Sequence, residues 1–437
     1  MRRAGSWLFF VTLIAASASL SVAQERATQP GKKIILHAAR LLDVKTGTTL
    51  PDQVILIEDN KITTVGPAKS VKATADAELI ELPRATVLPG LIDCHVHLTM
   101  SPNRFGPGGL GISYPRSALI GARNARVTLE AGFTTVRNLA AGGYSDIALR
   151  DAINAGDVPG PRMLVSGPPL SITGGHWDEN YLAPQFGFTN DGVADGVDAA
   201  MKKVRENVKY GADLIKVMAT GGVLSQNDNP ALAQYSLEEL KAIVETTHGL
   251  GRKVAAHAHA AVGIKNAVLA GVDSVEHGSY MNDEDIQLMK ERGTYLVPTV
   301  YLEDWLLQNM QNLGYTPNMM EKANTVVPIA HKNVSHAFKS GVKVALGTDA
   351  AVYPHGLNAH EFGKMAEMGL TPLQSIQAGT VNAADLLGWA DKIGTIEAGK
   401  WADIIAVDGD PLQDVTTLEH AKFIMKGGEV IRNEYSK

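Results

Sequence analysis

From residue 88 onward, the sequence alternates short apolar runs with helical patterns, and the alternation repeats eight times. The runs are apolar on both faces, which is typical of parallel strands covered on two sides. Eight such units predict an α/β fold, a closed (β/α)₈ TIM barrel. An open doubly wound sheet is the alternative, and it is disfavoured because no Gly-rich phosphate turn follows the first strand. The predicted strands are 91–97, 134–139, 162–167, 214–219, 253–258, 274–278, 295–299 and 343–349.

The two ends of the chain have a different sequence pattern. Residues 33–87 contain β-rich runs separated by Gly, Pro and Asp-Asn, with no helix between them. Residues 391–433 form a second β-rich segment of the same kind. Neither segment has enough strands to be stable alone, so we expect them to pair as one small composite β-sandwich domain. The barrel domain would then occupy residues 88–390.

Residues 1–23 differ from the rest of the chain. Arg2 and Arg3 precede an apolar run over 7–16, and small residues follow up to Ala23. This order predicts a cleaved signal peptide, because the apolar run is only about half of the ~20 residues that a membrane span needs. We therefore expect an exported protein, periplasmic or secreted, with no membrane span in the mature chain.

The composition narrows the classes of partner. The formal net charge is −6, and Lys and Arg are not clustered, which argues against nucleic acid. Cys94 is the only cysteine, so no intrachain disulfide can form. Residues 301–313 carry Trp305 and leucines at helical spacing, which predicts a core or lid helix. An exposed apolar face there would be a subunit contact, and we expect a homo-oligomer.

Polar side chains occupy the carboxyl ends of several predicted strands. His95 and His97 lie one residue apart, so their imidazoles share a face of the first strand. This pair alone leaves two possibilities open, half a metal site or two hydrogen-bonded core histidines. Because the carboxyl ends of barrel strands meet at one rim, polar residues on other strands would join them there, and coincidence becomes the weaker explanation. These residues are Lys216, His257, His277 and Asp349.

With these residues the chain resembles the metal-dependent amidohydrolase superfamily from residue 33 to its end. "PGLIDCHVHL" is similar to the strand-1 H-x-H motif of that family, "GTDA" to its strand-8 aspartate, and "GTIEAGKWADIIAVDGDP" to its typical ending. The resemblance implies two divalent metal ions, for which we expect Zn²⁺. Lys216 would carry a carboxyl group derived from CO₂ and bridge both ions, because an ammonium group cannot ligate a cation. The implied ligands are His95, His97 and Asp349 for the first ion, and His257 and His277 for the second.

The same resemblance implies a reaction, the hydrolysis of an amide or peptide bond by a metal-bridging hydroxide. Even one zinc ion can lower the pKa of a bound water from ~15.7 to ~7. Asp349 is expected to accept the proton of the hydroxide and to pass it to the leaving nitrogen. His277 is the second expected catalytic residue, as a ligand of the ion that polarises the substrate carbonyl.

Within the superfamily, the chain is similar to the imidazolonepropionase-like branch, which includes Xaa-Pro dipeptidases and ochratoxin hydrolases. "SITGGHWD", "KVMATGGV" and "GTDAAVYPHGLNAHEF" carry this resemblance. It implies a small-molecule substrate, a dipeptide or an N-acyl amino acid. His176, Tyr235 and His259 are the expected substrate contacts, although an ordinary loop or outer hydrogen bond is an equally open reading of each. Arg137 and His355 are weaker candidates.

Three alternatives remain. A cyclic amide hydrolase would share the metal chemistry and differ only in its pocket. A mononuclear deaminase on the same fold is disfavoured by Lys216, and by the absence of a glutamate soon after His257, where residues 258–261 read Ala-His-Ala-Ala. A non-catalytic binding protein would be expected to have lost ligands, and this chain has all six.

Overall fold

The computed structural model describes residues 32–72, 76–102, 106–226 and 228–436, so the predicted signal peptide over 1–23 lies outside the described residues. The strands in this part of the chain are β1 Lys33–Asp43, β2 Thr48–Glu58, β3 Lys61–Pro67, β4 Glu78–Pro89, β5 Leu91–Val96, β6 Phe133–Asn138, β7 Arg162–Val165, β8 Leu214–Met218, β9 Lys253–Ala258, β10 Ser274–His277, β11 Tyr295–Val297, β12 Ile404–Asp408, β13 Phe423–Lys426 and β14 Glu429–Asn433. The helices are α1 Tyr114–Glu130, α2 Ser145–Ala155, α3 Val197–Lys209, α4 Leu237–Gly249, α5 Ala261–Ala270, α6 Asp283–Arg292, α7 Val300–Asn309, α8 Pro317–Lys339, α9 His360–Glu367, α10 Pro372–Ala378 and α11 Val381–Leu387.

The terminal segments share one mixed sheet of seven strands, in the order β14-β13-β12-β4-β1-β2-β3. β1 and β4 are parallel, and the other neighbours are antiparallel. The two segments meet where β4 pairs with β12, in a register that sets Pro89 opposite Ile404. Leu36, Ile55 and Phe423 lie in the buried apolar cluster of this sheet. Residues more than 300 positions apart in sequence are therefore joined by backbone hydrogen bonds.

Two parallel sheets hold the middle of the chain, β5-β6-β7 and β11-β10-β9-β8. Backbone hydrogen bonds connect them on both sides. The N–H of Leu170, beyond β7, donates to the carbonyl of Lys216 in β8 at 2.8 Å. On the other side, Leu296 donates to Lys343 and Cys94 donates to Leu346, both at 2.8 Å. The segment around residues 343–350 thus lies between β11 and β5.

The predicted eighth strand, residues 343–349, is wrong as a regular strand. This segment makes only isolated parallel bridges, Val344 with Leu296 and Ala350 with Val96. One reason is that Asp349 has φ 54°, a left-handed conformation that interrupts an extended backbone. Each of the other seven predicted strands overlaps an observed strand, and β7 and β11 end two residues earlier than predicted.

The helices begin where local sequence signals place them. At the start of α4, the Ser236 hydroxyl accepts from the Glu239 N–H at 3.2 Å, and the Glu239 carboxylate accepts from the Ser236 N–H at 2.9 Å, which forms the predicted capping box. The predicted helix over 301–313 corresponds to α7, whose Leu302 and Leu306 are buried. In the described part of the chain, no helix combines the length and apolarity that crossing a membrane requires.

Candidate metal centre

The first group of possible metal ligands joins the end of β5 to the segment after residue 343. Ligand atoms of His95, His97 and Asp349 lie within 4.8 Å of one another. Oδ1 of Asp349 is 2.9 Å from Nε2 of His97 and 3.5 Å from Nε2 of His95. Two imidazole nitrogens and a carboxylate oxygen are a donor set that suits a divalent ion such as zinc. These three residues are the predicted ligands of one ion.

The second group lies at the ends of β9 and β10. Ligand atoms of His257, His259 and His277 lie within 4.8 Å of one another. The ring centroids of His257 and His277 are 4.8 Å apart, and those of His259 and His277 are 4.9 Å apart. His257 and His277 are the predicted ligands, and His259 is a predicted substrate contact. The geometry places a His259 nitrogen in the same group, so His259 could also serve as a ligand.

Lys216, on β8, has a buried Nζ atom that makes no hydrogen bond in the described part of the chain. An ammonium group without a partner is costly inside a protein. Burial lowers the pKa of Lys216 to about 8, so the uncharged amine is accessible near neutral pH. An uncharged amine can react with CO₂, and the resulting carboxylate would supply an anionic oxygen ligand. The orphaned nitrogen therefore fits the predicted role of Lys216 between two ions.

Hydrogen bonds fix which nitrogen two of the predicted ligand histidines offer. Nδ1 of His95 is 2.9 Å from a carboxylate oxygen of Glu276, which can only accept, so Nε2 of His95 carries the lone pair. Nε2 of His257 faces the carbonyl of Gly221 at 3.2 Å, which leaves Nδ1 as its lone-pair nitrogen. Such outer hydrogen bonds orient metal-binding histidines and raise their basicity.

The electrostatics keep these imidazoles neutral. Burial, followed by the nearby Lys216, lowers the pKa of His95 to about 4, and burial lowers the pKa of His257 and His277 well below the usual value. Burial alone would raise the pKa of Asp349, but the adjacent His95 and His97 outweigh it and lower the pKa. Neutral imidazoles and an ionised carboxylate are the protonation states that bind metal.

Left-handed backbone conformations occur at the site. His277 has φ 70° and Asp349 has φ 54°, values that residues other than glycine rarely adopt. Hydrogen bonds hold both residues, since the Asp349 N–H donates to the His95 carbonyl at 2.7 Å and Nδ1 of His277 bonds the Thr299 hydroxyl at 2.8 Å. Strained residues of this kind cluster at functional sites, where they fix the direction of a side chain.

One cavity contains all six predicted ligands together with His176 and His259. The His176 ring stacks on the His257 ring with centroids 4.2 Å apart. Tyr235 is not among the described residues that line this cavity. Its hydroxyl donates to the Ala194 carbonyl at 2.8 Å, and the residue is 1% exposed. The predicted contact between Tyr235 and substrate is therefore not supported, because the side chain packs in the apolar core.

The two weaker candidates also lie away from the cavity lining. Arg137 is buried and donates to the Cys94 carbonyl at 2.6 Å and to Glu276 at 2.9 Å. It therefore supports the carboxylate that holds His95 and does not face substrate. Nδ1 of His355 bonds the Thr128 hydroxyl at 3.2 Å, which is a packing role.

Sequence reasoning missed two sets of residues around the site. The first is Glu276 alone, the partner of the weaker candidate Arg137. Opposite charges inside two apolar strands were the signal, because a buried charge needs a partner. The second set lies beside His176 and comprises Ser225, Asp228 and Lys322. No local signal joins Lys322 to the other two, since it lies in α8, far away in sequence.

Comparisons with known proteins agree with this geometry. Residues 86–432 match the profile of the amidohydrolase family. The chain is 35% identical to the ochratoxinase of Aspergillus niger over 93% of its own length and 88% of that protein. A crystal structure of a Xaa-Pro dipeptidase with bound methionine superposes with a TM-score of 0.85 at 36% identity, covering 92% of this chain and all of the other. An imidazolonepropionase of Acinetobacter baumannii is 25% identical over 82% of this chain and 88% of its own. The family resemblance drawn from the sequence is confirmed.

Proposed function

Because the chain belongs to the amidohydrolase family and is therefore a hydrolase of carbon–nitrogen bonds, we propose that it is a binuclear enzyme that releases a C-terminal amino acid from a dipeptide or an N-acyl amino acid. One observation carries this proposal: two groups of metal ligands and the orphaned amine of Lys216 line the same cavity. A mononuclear deaminase would have no use for a buried lysine at this position.

The expected division of labour follows from the side chains. When bound, a pair of divalent ions, which we expect to be zinc, polarises a substrate carbonyl and makes a shared water acidic enough to supply hydroxide. His95, His97 and Asp349 would hold one ion, and His257 and His277 the other. Asp349 is ionised and sits beside the ligand nitrogens, so it can take up a proton and deliver it to the leaving nitrogen. Carboxylated Lys216 would bridge the two ions.

The substrate class rests on the relatives. The ochratoxinase and the Xaa-Pro dipeptidase are similar to this chain at 35% and 36% identity, over most of each protein. The first is named for ochratoxin and the second for a dipeptide, and these are the two kinds of substrate that the family resemblance implied. His176 and His259 line the cavity beside the predicted ligands and would face this substrate. The imidazolonepropionase match, at 25% identity, keeps a cyclic amide as the second candidate.

The test combines a substrate panel with one substitution. Purified enzyme would be assayed on dipeptides, N-acyl amino acids and a cyclic amide, with release of the free amino acid measured by chromatography. Lys216→Ala should lower activity by more than about 100-fold and reduce bound metal, because it removes a direct ligand. Lys253→Ala is the matched control, a strand lysine whose side chain is 40% exposed and whose ammonium pairs with Asp273. Full activity and full metal content in Lys216→Ala would contradict the proposal.

Four further features belong to this proposal. The bonds that link the two parallel sheets support a closed eight-unit barrel, and the terminal sheet supports a composite β-sandwich domain. Residues 1–23 would direct export to the periplasm or medium, which N-terminal sequencing of the exported protein would check. We also propose a homo-oligomer, which light scattering coupled to size-exclusion chromatography would test.

A further inference from the structure

Beside the candidate metal centre, four residues form a continuous chain of hydrogen bonds. It starts at Nζ of Lys322, in α8, which donates to Oδ1 of Asp228 at 2.8 Å. The same Oδ1 lies 2.7 Å from the Ser225 hydroxyl, and that hydroxyl lies 2.7 Å from Nδ1 of His176. His176 is the cavity residue whose ring stacks on His257.

The chemistry of Lys322 and Asp228 sets the direction of every bond in this chain of hydrogen bonds. An ammonium group can only donate, and an ionised carboxylate can only accept. The second oxygen near the Ser225 hydroxyl, the Gly222 carbonyl at 3.3 Å, is also only an acceptor. Ser225 therefore donates its single hydroxyl proton to one of these two oxygens. The contact with Asp228 is the shorter of the two. Ser225 must then accept from His176, so the proton of His176 is on Nδ1.

The second ring nitrogen of His176 remains available to a molecule in the cavity. Lys322 and Asp228 are 10% and 4% exposed at their side chains and form a buried ion pair, which holds Ser225 in place. Because Nδ1 is bonded to Ser225, Nε2 is the nitrogen that can contact such a molecule. Nε2 has no hydrogen-bond partner in the described part of the protein.

Other contacts make this chain of hydrogen bonds part of the folded structure. Nζ of Lys322 also donates to the carbonyls of Gly222 and Ser225 at 2.7 and 2.5 Å, so it fixes the loop after β8. The Gly222 N–H donates to the other oxygen of Asp228 at 2.9 Å. A Cβ atom at Gly222 would lie 2.1 Å from Nδ1 of His176, so the loop can approach the ring only with glycine there.

We infer that Lys322, Asp228 and Ser225 are positioning residues that keep a proton on Nδ1 of His176 and orient its ring, so that Nε2 is the nitrogen that meets substrate. This deepens the proposed function and rests on it for the identity of the substrate.

The test is a ¹⁵N NMR measurement of the metal-loaded enzyme labelled at histidine. Protonated and unprotonated ring nitrogens have distinct ¹⁵N shifts, and the His176 signals would be assigned by their loss in His176→Gln. The expected result is a protonated Nδ1. An unprotonated Nδ1 overturns the inference. Because the measurement needs no substrate, it stays informative even if no amide is hydrolysed, and so the two proposals can fail separately.

A pair of matched variants tests the positioning role. Ser225→Ala removes the link to Asp228 and should shift the His176 signals and lower kcat/KM by about 100-fold, as expected when a reacting group is misplaced. Ser279→Ala removes the equivalent hydroxyl, which lies 2.7 Å from Nδ1 of His259, and should leave the His176 signals unchanged. Unchanged His176 signals in Ser225→Ala would contradict the positioning role.

Discussion

The carboxylate of Glu276 is the most sensitive support of the proposed metal centre. Glu276 is fully buried, and its two oxygens accept from His95 and from Arg137, each at 2.9 Å. Burial alone would raise the pKa of Glu276, but Arg137 and His95 outweigh it and lower the pKa to about 2. Glu276→Gln keeps the shape and removes the charge. Glutamine has one acceptor oxygen, so either His95 or Arg137 loses its partner.

Two effects of Glu276→Gln follow from these contacts. The guanidinium of Arg137, 2% exposed, becomes an uncompensated buried charge, which costs about 3–5 kcal/mol of stability. The ring of His95 loses the carboxylate that orients it, which should lower metal affinity by about 10- to 100-fold. Urea unfolding of the chelated protein would measure the first effect, and a competition titration with a metal indicator would measure the second.

Glu361→Gln is the matched control, the same substitution at another fully buried glutamate. Glu361 accepts from the N–H groups of Val300 and Tyr301 and contacts no ligand histidine. Burial raises its pKa to about 8, so the side chain is mostly neutral at pH 7. Its replacement therefore leaves no buried charge without a partner. Metal affinity should be unchanged in this control. If Glu276→Gln kept wild-type metal affinity and lost less than about 1 kcal/mol of stability, the reasoning would be refuted.

Three other predictions concern the surroundings of the site. Tyr235→Phe should cost about 1 kcal/mol in urea unfolding, because the bond to Ala194 is lost, with an unchanged KM; a tenfold rise in KM would restore Tyr235 as a substrate contact. Gly222→Ala should displace His176 and lower kcat/KM by about 100-fold with metal content intact. Gly249→Ala is the control, because a Cβ atom there would meet nothing within 4 Å, and its kcat/KM should not change. Equal kcat/KM values in the two variants would refute this. Chelation should abolish hydrolysis and lower the melting temperature, because metal binds only the folded ligand set, and added zinc should reverse both; activity that survives complete metal removal would contradict this.

Much of the fold and site was predictable because both depend on periodic patterns. Apolar runs alternating with helices gave seven of the eight strands, and the rule that strand ends meet at one rim brought distant ligands together. The eighth segment failed as a strand because its apolar pattern contains no signal for the left-handed conformation at Asp349. That conformation depends on tertiary hydrogen bonds, including the one from the Asp349 N–H to the His95 carbonyl.

The residues that hold the ligands were harder to predict. Glu276 was overlooked because its neighbour His277 was interpreted as a metal ligand. A charge inside an apolar strand was nevertheless a usable signal. The prediction for Tyr235 came from the family resemblance, which does not reveal which way a loop side chain turns in this protein, where its hydroxyl bonds the Ala194 carbonyl. Lys322 reaches the site from α8, and a contact over 94 residues leaves no pattern in a single sequence.

The most direct test of a binuclear centre is the metal content of the purified enzyme, measured by plasma mass spectrometry against protein concentration. The two ligand groups that share one cavity with Lys216 predict about two divalent ions per chain in fully active enzyme. A fully active preparation with one ion or none per chain would contradict a bridged pair, and with it the role given to Lys216.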